Sequence, residues 1–80
     1  MATKNATQTE TIKSAVRNLL AGDVTVATGE TILRVVEHYD TMKKKFLSTH
    51  RDVLLQSNST GSVREAMWNS STLVTVTRRK

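Results

Sequence analysis

The chain has no cysteine and no proline, three glycines among its 80 residues, and one each of Tyr, Phe and Trp. Without cysteine there is no disulfide scaffold, no thiolate metal centre and no thiol nucleophile. His38 and His50 are the only histidines, and they lie too far apart in sequence to form a helical metal pair. Gly22, Gly29 and Gly61 are widely separated, so no loop can cradle a phosphate and no nucleotide cofactor is implied. No apolar run approaches the ~18 residues of a membrane span. Met1 to Gln8 is polar, so a secretory signal is not expected, and the reading is cytoplasm or virion rather than export.

Twelve Lys and Arg against seven Asp and Glu give a net charge of +5. The excess sits in two triplets, Lys43-Lys44-Lys45 and Arg78-Arg79-Lys80; the rest of the chain is close to neutral. A chain this short buries only about 60–65% of the surface that its unfolded form exposes, so its core is marginal. With no cysteine and only two histidines, disulfides and metals are almost closed off as supports, and other chains are the remaining expectation.

Local patterns predict a mainly α fold with a minor β element. Residues 1–8 read as a flexible arm, 9–77 as one small helical domain, and 78–80 as a basic tail. Thr7 and Glu10 make a capping box ahead of the apolar stripe Ile12, Ala15, Val16, Leu19 and Leu20, with Gly22 as the stop. Residues 23–27 suit a short strand or an extended connector. With Thr28 as an N-cap and Glu30 in the first turn, neither Pro nor Gly interrupts the chain from Glu30 to about Gln56, which predicts one helix of roughly 28 residues, about 42 Å long. Along it Ile32, Tyr39, Phe46 and Val53 are spaced by sevens, with Val35 and Met42 between them, as in a coiled-coil seam. Ser57 to Gly61 is a loop by composition, Ser62 with Glu65 caps a short helix, and 72–77 is a β-branched strand. That strand must pair with 23–27, with its symmetry mate, or with a sheet edge elsewhere.

These patterns favour macromolecular binding over catalysis. Glu37, His38 and Asp40 point apart on a helix, while Glu30 with Arg34, Arg34 with Glu37, and Asp40 with Lys43 or Lys44 read as surface ion pairs. No catalytic residue, cofactor, metal or small-molecule substrate is implied. The first expectation is a structural or interaction subunit of a larger homo- or hetero-oligomeric assembly, with a phage or virus particle as the concrete guess from the Thr-, Ser- and Val-rich composition. Its interface would comprise Ile32, Val35, Tyr39, Met42, Phe46, Val53, Leu73, Val74 and Val76. The second is a small nucleic-acid-binding or regulatory protein using Lys43, Lys44, Lys45, Arg78, Arg79 and Lys80; the third is an inhibitor of a host enzyme. An assembly subunit should have its apolar stripe covered by other chains, whereas a DNA binder should bring both basic clusters to one face.

Overall fold

A computed structural model describes residues 8–79, and it is antiparallel β throughout. The strands are β1 (Thr9–Ala15), β2 (Val24–Thr25), β3 (Glu30–Asp40), β4 (Lys45–Ser57), β5 (Val63–Asn69) and β6 (Leu73–Arg79), with a single 3-10 turn at Val16–Asn18. They form one six-stranded sheet in the order β1-β6-β2-β3-β4-β5. This overturns the mainly α expectation: the stretch expected as one long helix is a β-hairpin, and the short helix expected after Ser62 is strand β5. Residues 1–7 and 80, which hold most of the expected N-terminal arm and the end of the basic tail, lie outside the described residues.

The physical reason lies in the bulges. In β3, Ile32 faces Leu55 and Arg34 faces Leu54, so Leu33 is an extra residue in the ladder. A bulge of this kind lets Ile32 and Val35, three apart in sequence, both contribute to the core, and thereby imitates helical spacing. Across from the bulge β4 keeps the two-residue period, with Val53 and Leu55 both fully buried. Tertiary pairing of β-branched residues then outweighs local helix propensity.

The core is Val16, Leu19, Ile32, Val53, Leu55 and Val76, with Ile12, Val35, Ala66, Trp68 and Val74 packed around it. Members of β1 and β5, at opposite ends of the strand order, meet in this cluster, so the sheet curls and buries its concave face against itself. The turn between β5 and β6 closes the curl: Ser70 donates its N–H to the Thr49 carbonyl, and its own carbonyl accepts from Arg17 N–H. β6 is an inner strand, flanked by β1 along its length and by β2 at Val76 and Thr77. It runs to Arg79, so Arg78 and Arg79 belong to the sheet rather than to a tail.

Between β4 and β5 the chain reverses at residues 58–61, where Gly61 at φ 79° donates to the Ser57 carbonyl in a conformation that costs other residues a Cβ clash. The β3–β4 reversal has no glycine; its left-handed residue is Lys44, at φ 54°. The described residues measure 55 × 24 × 18 Å with a radius of gyration of 14.3 Å. A compact chain of this length would have a radius of about 12 Å. The longest strands are β3 and β4, of 11 and 13 residues.

Candidate functional site

The hairpin divides into a body and an arm. Glu37 pairs with Arg51 and the next residue, His38, pairs with Leu47, leaving Ser48, Thr49 and His50 of β4 without partners on β3. Arg51 Nη1 donates to the carbonyls of Ser48 and His50, and Thr49 Oγ1 lies 2.9 Å from His50 Nδ1, so the bulge is internally stitched. His38 Nδ1 lies 2.9 Å from Asp52 Oδ1, a contact that spans the bulge. Beyond it stand only three rungs, His38–Leu47, Tyr39–Phe46 and Asp40–Lys45, and a four-residue turn.

Tyr39 and Phe46 pack edge to face on the arm, ring centroids 5.1 Å apart, yet Phe46 remains 61% exposed. Met42, in the turn, is 91% exposed. Asp40 Oδ1 accepts the N–H groups of Met42 and Lys43 at 2.9 and 3.0 Å, closing the turn. Those bonds, the one from Lys43 above all, outweigh the desolvation that opposes them and hold the Asp40 carboxyl below its ordinary range.

The residues expected to form one interface stripe are therefore dispersed. Ile32, Val53 and Val76 are fully buried in the chain's own core, and Val35 and Val74 pack against it. Tyr39, Met42 and Phe46 stand out on the arm, and Leu73 is exposed at the start of β6. On the outer face, Val36 and Met67 flank Asp52 from β3 and β5, and both are exposed.

The two basic triplets are separated as well. Val24 pairs with both Thr77 and Thr31, which sets the end of β6 beside the start of β3, whereas Lys43, Lys44 and Lys45 lie at its far end. Arg78 also has a partner. Its guanidinium donates through Nε and Nη2 to Asp23 at 2.9 and 2.7 Å. Burial alone would raise the Asp23 pKa; the Arg78 hydrogen bond, the Leu20 N–H and the Arg78 charge together lower it. Among the described residues, Lys43, Lys44 and Lys45 are thus not brought together with Arg78 and Arg79, and Lys80 lies outside the described residues.

A second bidentate pair joins Arg64 of β5 to Glu30 of β3 at 2.7 and 2.8 Å, with Thr28 Oγ1 donating to the same carboxylate. The pair borders a groove of ≈ 350 Å³ lined also by Ala27, Trp68, Thr72 and Val74. Glu30 thus pairs with Arg64 rather than with the expected Arg34. Neither pair had a signal in the sequence, since the partners are far apart along the chain and only the curled sheet brings them together. Among the described residues, no group of three His, Asp or Glu could hold a metal ion, and no helix is long and apolar enough to cross a membrane.

The Arg64 hydrogen bond, with that of Thr28, holds Glu30 down to about 2 from an ordinary 4.5. Because the folded value is the lower one, this carboxylate's contribution to stability is complete above about pH 4.5 and is lost as pH falls toward 2. Glu30→Gln should flatten the acid limb of stability between pH 5 and 2, measured as urea midpoints beside the parent. Equal acid limbs in the two proteins would refute the assignment.

No family model, curated protein or solved structure matches the chain.

Proposed function

We propose that the protein is a non-catalytic structural subunit of a larger assembly, associating first with further copies of itself. One observation carries this reading: among the described residues, ten large apolar side chains are exposed and six apolar residues are buried. Isolated exposed apolar residues are ordinary, but such an excess on a small chain marks surface that association would cover. The strand order supports it, because β1 and β5 leave both ends of the sheet unpaired within the chain. The narrower expectation of a phage or virus component has composition alone behind it and is not carried forward.

The test is native mass spectrometry over a concentration series, comparing the parent with a Val36→Lys/Met67→Lys double variant. Both positions flank Asp52 on the outer face, so the new cations have a local counter-charge and the fold should persist by circular dichroism. The parent should form oligomers and the double variant should run as a monomer. A parent that stays monomeric throughout overturns the proposal.

A further inference from the structure

We propose that the tip of the β3–β4 arm is a DNA-contacting ribbon that enters the major groove of a B-form duplex and binds phosphates through Lys43, Lys44 and Lys45. The proposal is independent of self-association. It rests on where the triplet lies, at the end of a projecting two-stranded ribbon.

Charge comes first. Among the described residues no carboxylate pairs with Lys43, Lys44 or Lys45, whereas Arg64 and Arg78 are matched by Glu30 and Asp23. The one acid at the tip, Asp40, is engaged by the backbone N–H groups of Met42 and Lys43. The tip thus gathers three consecutive cations against one carboxylate at the end of the β3–β4 hairpin.

Backbone conformation is an independent sign. Lys44 holds φ 54°, a left-handed conformation that glycine or asparagine would adopt at lower cost. A lysine here forgoes turn stability and supplies a charge at the apex, the pattern of strain kept at a functional position.

Dimensions agree. Three rungs at about 3.3 Å per residue, with the turn beyond them, project roughly 10 Å past the bulge. The major groove is about 12 Å wide and 8.5 Å deep and admits a two-stranded β-ribbon. A-form RNA has a deep, narrow major groove that excludes such an element. A bilayer would favour an apolar leading edge; here the lysines lead beside the single Met42, and Tyr39 and Phe46 lie a rung or more behind. Arg79, at the end of β6 beside the start of β3, is not part of this tip.

The experiment is fluorescence anisotropy of the full chain with a 20-bp DNA duplex across a salt series, beside a matched RNA duplex and phosphatidylserine vesicles. Three phosphate contacts should give a slope of log K against log salt of about −2 to −3, since each contributes about −0.9. Lys43→Gln/Lys44→Gln/Lys45→Gln should abolish most of that slope. Lys44→Gly relieves the backbone strain, so it should melt no lower than the parent, yet the slope should fall by about 0.9. Arg79→Gln should leave it unchanged. The proposal is overturned if Arg79→Gln flattens the slope as much as Lys44→Gly, if RNA duplex binds as well as DNA, or if vesicles bind and DNA does not.

Discussion

Leu55→Ala is expected to bring the chain to the edge of unfolding, while Phe46→Ala should leave its denaturation midpoint nearly where it was. Leu55 is fully buried in β4, opposite Ile32 on β3 and Arg64 on β5. Truncating a buried leucine removes transfer free energy and leaves a cavity, costing about 2–5 kcal/mol. At about 0.05–0.15 kcal/mol per residue, a chain of this size holds a total stability of the same order. Phe46 is exposed and its one ring contact is with Tyr39 on the same arm, so its loss should cost about 1 kcal/mol or less. The helical reading sets Phe46 in a seam facing partners or the first helix, where its truncation costs about 3–5 kcal/mol or abolishes assembly, so the two substitutions separate the folds. Urea denaturation of both variants is sufficient, and a Phe46→Ala cost equal to that of Leu55→Ala would mean that the arm is packed rather than projecting.

The second large effect is expected from Val74→Pro. If 72–77 were an edge strand waiting for another protein, a proline there would block association and leave the fold intact. β6 is instead an inner strand, with Val74 opposite Ser14 of β1 and the next carbonyl, that of Thr75, accepting Val26 N–H from the other side. Proline removes a ladder donor and is confined in sheets almost entirely to edges and bulges. The variant should therefore lose the sheet as a whole, with circular dichroism of an unfolded chain and no cooperative melt. A folded Val74→Pro variant would be incompatible with the strand order β1-β6-β2.

These two substitutions also show where the sequence was readable. The β-branched run 72–77 is strand β6, and one of its expected partners, 23–27, does pair with it, through Val24 with Thr77 and Thr25 with Val76. Turn chemistry at Ser57 to Gly61 was equally plain. The β3–β4 hairpin was concealed because its reversal uses Asp40 and a left-handed lysine in place of Gly, Pro or Asn-Gly, so nothing punctuates the stretch from Glu30 to Gln56. The bulge at Leu33 then supplied a spacing of three, which reads as a helix. Of the candidate site, the lysine triplet was visible and its isolation was not, because the neutralisation of Arg78 by Asp23 depends on a contact between distant parts of the chain.

The strand order also sets a timetable. Among the described residues β1, the first strand, finds its only partner in β6, the last, from Thr9 with Arg79 to Ala15 with Leu73. That ladder closes a loop containing all the other strands, so a large entropy of loop closure opposes its formation. Sheets dominated by such distant pairings fold in about milliseconds to seconds, orders of magnitude more slowly than helical chains of equal length. Through that interval β1, with Ile12 still uncovered, is available to any neighbouring strand, so the newly made protein is most prone to wrong pairing before its first and last strands have met.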